Sequence, residues 1–147
     1  MFQLEKYNIP TQVIYGVGIA SIAQAINSSI VQNGVVDYRG AIIVVAPVVE
    51  EHLKATGTII SALSLSIFET VFSYPDYILD RLVMVTPLHI FWYIIGKRYG
   101  TVWAILFHMV WNILTVEYLD GFLYAMYMVF TSITVIYILL GDKNENY

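Results

Sequence analysis

Long runs of apolar residues, separated by short polar stretches, dominate this chain and predict transmembrane helices. A helix needs about 20 residues to cross a bilayer. Five segments reach that length: residues 11–32, 41 to about 72, 77–96, 101–118 and 121–140. We therefore expect an all-α bundle of about five spans that forms a single transmembrane domain over residues 1–147.

The second apolar segment is too long for one simple crossing. At about 1.5 Å per residue it would extend roughly 48 Å, whereas the hydrocarbon core is about 30 Å thick. Pro47 and the sequence Thr56-Gly57-Thr58 are the places where such a helix would bend or break. The pattern is compatible with one kinked helix or with two shorter pieces.

The first segment is the least apolar and contains small residues at nearly regular intervals. Gly16, Ala20, Ala23 and Ala25 follow the spacing that lets helices approach closely in lipid. This spacing indicates a helix that packs on its neighbours rather than one surrounded by acyl chains.

Composition supports an integral protein of the cell membrane with the lipid bilayer around it. Hydrophobic residues make up 59% of the chain and charged residues 12%. A soluble domain of this size could not bury so much apolar surface. No basic run indicates a nucleic-acid partner, and the absence of cysteine excludes a thiol nucleophile and a thiolate metal site.

The basic residues give an orientation for the predicted spans. Five spans would place Arg39, Lys97, Arg98 and Lys143 on one side of the membrane, and only two basic residues on the other. The positive-inside rule then favours the first side as cytoplasmic.

Several polar residues interrupt the apolar segments. An ionisable group near the bilayer centre costs about 2.5–3.5 kcal/mol on insertion scales, so such groups normally face the protein interior or a water cavity. We single out these interruptions as candidate functional residues: Glu50, Glu51, His52, Lys54, Glu69, His89, His108 and Asn112.

Two groups of these residues have helical spacing. Glu50 and Lys54 form an i,i+4 pair suited to an ion bridge, while Glu51 lies about 100° further round the helix. His108 and Asn112 share one helical face, where an imidazole can exchange protons and a carboxamide can donate to an oxyanion. The alternatives are a charge cluster at the membrane interface and polar contacts that hold helices together.

The remaining three residues are harder to place. Glu69 follows Glu51 by 18 residues, about 27 Å along a continuous helix, so it joins the same site only if the chain breaks near Gly57. His89 taken alone is typical of a contact between helices. No spacing argument favours a functional role for His52, and we interpret it as structural.

In order along the chain, these residues resemble the motifs of the PrsW family of membrane proteases. Residues 46–54 match the pattern A-P-x-x-E-E-x-x-K, and Glu69 with Tyr74 resembles the second motif. His89, with a glycine seven residues later, is similar to the third motif, and residues 107–112 are similar to the fourth, H-x-x-x-N. The resemblance covers residues 41–114. The same superfamily includes the CAAX prenyl proteases, bacterial immunity-type proteases and the non-catalytic anterior-pharynx-defective subunit of gamma-secretase.

The resemblance implies a glutamate-type intramembrane endopeptidase that needs no metal or other cofactor. Glu50 would be the general base to a water molecule. His89 or His108 would position that water, and His108 with Asn112 would stabilise the oxyanion. Catalytic residues would then be Glu50, Glu51, His89, His108 and Asn112, supported by Lys54 and Glu69. The substrate would be a membrane-embedded or membrane-associated protein.

Other functions remain open from the sequence. The chain is compatible with a non-catalytic scaffold or accessory subunit of a larger complex, and with a homo-oligomer. A small transporter or proton path would also use glutamate and histidine at membrane depth. Two histidines and a glutamate can bind zinc, although no H-E-x-x-H spacing is present.

Overall fold

The computed structural model describes residues 7–117, 125–127, 129 and 132–133. Within these ranges all regular secondary structure is helical, which confirms the predicted all-α class. The elements are α1 (Ile9–Gln32), α2 (Tyr38–Gly40), a π-helical turn (Ala41–Val45), α3 (Ala46–Lys54), α4 (Ile59–Ser73), a 3-10 turn (Pro75–Tyr77), α5 (Ile78–Tyr99) and α6 (Thr101–Glu117). The predicted segment 121–140 lies almost wholly outside the described residues.

The second apolar segment forms two pieces, and the break follows α3. Thr58 caps α4 in a reciprocal capping box: its hydroxyl accepts from the Ser61 N–H, and its own N–H donates to the Ser61 hydroxyl. Pro47 does not break the chain because it lies in the first turn of α3, where a missing N–H is tolerated. The predicted alternatives are thereby resolved in favour of two helices.

The helices form a closed ring. α1 packs against α3 and α4, α4 against α5, α5 against α6, and α6 against α3. This order leaves a cavity at the centre, and the polar side chains of the apolar segments can meet there.

The contact between α1 and α4 depends on a small residue. A Cβ atom added to Gly16 would lie 2.3 Å from the Ser61 carbonyl oxygen, so only glycine permits this approach. Ala20 and Ala23 are also buried, whereas Ala25 is exposed. The predicted packing role therefore applies to three of the four small residues.

A second apolar cluster joins α5 and α6. Leu88, Phe91, Trp92 and Ala104 are almost fully buried there. Gly100 separates the two helices with a φ of 105°, a backbone conformation that strongly favours glycine. The short connection keeps α5 and α6 adjacent, which places their histidines on one side of the ring.

Two helical stretches, Ile9–Gln32 and Pro75–Tyr99, are long and apolar enough to cross a bilayer. Two shorter apolar helices, α4 and α6, accompany them. Length and composition therefore support membrane insertion of part of the described chain.

Candidate functional site

A cavity of about 570 Å³ occupies the centre of the helical ring. Side chains of α1, α3, α4, α5 and α6 all line it. Its walls combine apolar and polar side chains, and four helices contribute charged, imidazole or amide groups to it: Glu50, Glu69, Arg81, His89, His108 and Asn112. A cavity on which polar groups from several helices converge is typical of a binding or catalytic site.

The centre of the site is formed by Glu50, Glu69 and His89. One carboxylate oxygen of each glutamate and one imidazole nitrogen lie within 4.8 Å of one another. Because 19 residues separate the two glutamates, the break between α3 and α4 is what brings them together. By sequence, Glu69 could join the site only if the chain breaks near Gly57. The chain does break there, and Glu69 lies beside Glu50.

Glu50 has an unusual environment for a carboxylate. Its side chain is buried, with 8% exposure, and its Oε2 atom has no hydrogen-bond partner among the described residues. A buried polar atom without a partner costs free energy unless a ligand or water completes its bonding. Glu50 also lines the cavity, and its Oε2 retains the capacity to accept a proton or a hydrogen bond.

The same three residues offer the ligand set of a divalent cation. Two carboxylate oxygens and one imidazole nitrogen are donors that zinc accepts. The neighbouring groups are cationic, however: Arg81 lies 3.0 Å from Glu69 and Lys54 lies 3.1 Å from His89. Arg81 offsets the charge of Glu69 and Lys54 that of Glu51, and both positive charges repel a divalent cation at this set of ligands.

Lys54 pairs with Glu51 and not with Glu50, which corrects the predicted i,i+4 bridge. The distance from Nζ to Glu51 Oε1 is 2.5 Å, and both side chains are 1% exposed. The reason is tertiary: Lys54 also contacts His89 Nδ1 on α5, and it does not line the cavity. Glu51 does not line the cavity, and the structure gives it a supporting position.

His108 is held from two sides. Its Nδ1 atom lies 2.9 Å from Glu51 Oε1, and its ring stacks on Trp92 with the centroids 3.8 Å apart and the planes 10° from parallel. Trp92 also contacts His89 edge to face, with centroids 5.0 Å apart. One tryptophan therefore fixes the ring positions of both histidines.

Arg81 and Tyr74 belong to the site and were missed as candidate residues. Arg81 donates to Glu69 Oε1 at 3.0 Å, and its guanidinium group lies 3.8 Å from the centre of the Tyr74 ring. Arg81 lies near the start of the predicted span 77–96, where it counted only toward the orientation of the spans. Only the fold reveals that Arg81 reaches Glu69 on the preceding helix.

Asn112 lines the cavity, but its amide is engaged by the backbone. Its Nδ2 donates to the Ile42 carbonyl at 2.8 Å. In the π turn the Ala46 N–H donates to Ala41, and Pro47 has no N–H, so the Ile42 carbonyl lacks a regular helical donor. Asn112 therefore supplies the donor that the turn lacks. Only its second amide hydrogen is left for the predicted contact with an oxyanion.

We expect Asn112→Ala to lower the free energy of unfolding by about 1–3 kcal/mol, because the Ile42 carbonyl would lose its donor. Thr115→Val is the matched control, since among the described residues the Thr115 hydroxyl bonds only carbonyls of its own helix, those of Trp111 and Asn112. Denaturant unfolding of the purified chain in micelles measures both. Equal stability of the two variants would contradict the assignment of this contact to the turn.

His52, interpreted as structural, is exposed on α3 and contacts the Val48 carbonyl at 2.8 Å. It takes no part in lining the cavity.

Comparisons with protein families, curated proteins and solved structures gave no match to this chain.

Proposed function

We propose that this chain is a polytopic integral membrane protein of about five spans whose central cavity hydrolyses peptide bonds. Membrane insertion is supported by the two long apolar helices and by large apolar side chains on the outside of the ring. Ile14, Leu79 and Val102 are 72%, 77% and 67% exposed, as side chains facing lipid would be. Because the chain breaks after α3, the segment predicted as the second span would contribute two helices to the membrane instead of one.

The observation that carries the hydrolytic proposal is the free Oε2 of Glu50 beside Glu69 and His89. A buried carboxylate oxygen without a hydrogen-bond partner, on a side chain that lines a cavity of about 570 Å³, is suited to hold and deprotonate a water molecule. The resemblance of residues 41–114 to the PrsW family of membrane proteases points to the same chemistry.

The proposed reaction needs only groups of this chain and water. Glu50 Oε2 takes a proton from the bound water while the water oxygen attacks the scissile carbonyl carbon. The resulting oxyanion accepts hydrogen bonds from imidazole or amide N–H groups in the cavity wall. The C–N bond then breaks, and the proton held by Glu50 passes to the departing amine, which leaves a free carboxyl group and a free amino group.

The proposed substrate is a membrane-embedded or membrane-associated protein. The cavity lies among helices with large exposed apolar side chains, so a substrate held in or at the same bilayer would lie beside it. An extended segment fits such a cavity better than a helix does, because the peptide carbonyl must be free of its helical hydrogen bond to be attacked.

One observation favours a second function, that of a non-catalytic scaffold. Asn112 contacts the π turn, and the Glu51–Lys54 pair of α3 contacts His108 on α6 and His89 on α5, as residues holding a bundle together would. A scaffold would lose stability or partner binding on substitution of Glu50, whereas a protease would lose turnover and remain folded.

The proposal is tested by comparing protein N-termini in membranes of cells that carry the wild-type chain, Glu50→Gln or His52→Gln. General-base catalysis contributes about 10²–10⁴-fold, so new N-termini that depend on the wild-type chain should fall by at least about 10²-fold in Glu50→Gln. Glutamine keeps the shape of the side chain and removes the base.

His52→Gln is the matched control, because His52 is exposed, lies two residues from Glu50 and does not line the cavity. It should give the same N-termini as the wild-type chain. Identical sets of N-termini from the wild-type and Glu50→Gln chains would contradict the protease proposal and favour the scaffold.

A further inference from the structure

We propose that the Glu51–Lys54 ion pair holds His89 and His108 in opposite tautomers, so that one presents a donor to the cavity and the other an acceptor. Both histidines line the cavity, and each has its Nδ1 atom bonded to one member of the pair. Glu51 and Lys54 are positioning residues, since they act on the site through the two imidazoles.

The tautomer of His89 follows from the chemistry of lysine. The Lys54 ammonium group, 2.5 Å from a carboxylate, has only hydrogens to offer and cannot accept a hydrogen bond. His89 Nδ1, 3.1 Å from Nζ, must therefore be the acceptor. The proton of the neutral ring is then on Nε2, which faces the Glu69 Oε2 atom at 3.4 Å.

The tautomer of His108 follows from the chemistry of glutamate. The ionised Glu51 carboxylate only accepts, so His108 Nδ1, 2.9 Å from Oε1, must carry the hydrogen. The neutral His108 ring therefore keeps its lone pair on Nε2. Lys54 and His108 share the same carboxylate oxygen, and the ammonium already neutralises its charge, so no second positive charge is needed on the imidazole.

Ring packing keeps the two histidines from exchanging roles. Trp92 is fully buried, stacks on His108 and meets His89 edge to face, and the two imidazole centroids lie 5.7 Å apart. A ring flip of either imidazole would separate its Nδ1 from the ion pair. The opposite tautomers are therefore built into the packing of α3, α5 and α6.

The consequence for the reaction rests on the proposed function. His89 Nε2–H becomes the donor to the oxyanion, and the His108 Nε2 lone pair accepts a hydrogen bond from the water molecule whose other proton Glu50 takes. Of the two roles that the sequence resemblance gives to His108, positioning the water is kept and donating to the oxyanion is not. A protonated His89 Nε2 also has no lone pair for a metal, so the Glu50, Glu69 and His89 set would bind a divalent cation only after Lys54 releases the ring.

The test is nitrogen NMR of the full chain in lipid discs, with ¹⁵N-labelled histidine and mildly alkaline buffer. The three histidines are reduced to two in His52→Gln, which removes the exposed ring. We expect one neutral imidazole protonated at Nε2 and one protonated at Nδ1, so no residue assignment is needed at this stage. Two rings in the same tautomer, or two doubly protonated rings, would overturn the proposal.

Lys54→Met in the His52→Gln background identifies the ring that depends on lysine. The signal of the Nε2-protonated ring should move toward a mixture of tautomers, while the other ring keeps its proton on Nδ1. If this variant does not fold, Lys54→Arg retains a donor and should preserve both signals. The measurement requires no turnover, so a failure of the tautomer proposal is distinguishable from a failure of the proposed function.

Discussion

Lys54→Met is expected to lower the free energy of unfolding by about 3–5 kcal/mol, because it leaves the buried Glu51 carboxylate without its counter-charge. Both side chains are 1% exposed, so solvent cannot compensate the loss. His89 would lose its Nδ1 donor in the same step. Denaturant titration of the purified chain in mixed micelles measures the change.

Two further variants separate charge from packing in this prediction. Lys97→Met makes the same substitution at an exposed lysine that donates to the Ala55 carbonyl, and it should change stability by no more than about 0.5 kcal/mol. Glu51→Gln in the Lys54→Met background removes the uncompensated charge and should recover part of the loss. A Lys54→Met chain as stable as Lys97→Met would show that the ion pair does not hold the helices.

Gly16→Ala is the second substitution with a large expected effect, although it adds a single methyl group. The new Cβ would lie 2.3 Å from the Ser61 carbonyl oxygen and 2.8 Å from the Ser64 Cβ. Backbone atoms cannot move aside as a flexible side chain does, so α1 and α4 must separate. Overpacking of this kind costs about 1–3 kcal/mol, which unfolding measurements resolve.

Gly18→Ala is the control for this prediction, two residues along the same helix. A Cβ atom at Gly18 would meet nothing within 4 Å. Alanine is the better helix former, so this variant should be stabilised by about 0.5–1 kcal/mol. If Gly16→Ala behaved like Gly18→Ala, the close contact of α1 with α4 would be refuted.

Part of this architecture follows from local sequence alone. The helical class follows from the apolar segments, and the break at residues 56–58 is signalled by a capping threonine and a glycine between two apolar runs. Five polar residues that line the cavity were recognisable because each interrupts an apolar segment, where a polar group is costly: Glu50, Glu69, His89, His108 and Asn112.

Partner choice could not be predicted, because it is set by contacts between helices. Lys54 can reach either glutamate by helical spacing, and it is His89 on α5 that selects Glu51. The bond from Asn112 to Ile42 depends on a π turn that no spacing rule indicates. The position of Arg81 in the predicted span 77–96 does not indicate that it pairs with Glu69 on the preceding helix.

The most direct test of the central claim is the rate at which the purified chain, reconstituted in lipid vesicles, cleaves a peptide found by the comparison of N-termini. We expect Glu50→Gln to slow cleavage by at least about 10²-fold while the fold is retained, and a chelator to leave the wild-type rate unchanged. Two results would contradict the claim that Glu50 alone activates the water molecule. One is a Glu50→Gln rate equal to that of the wild-type chain, and the other is a wild-type rate that the chelator abolishes and zinc restores.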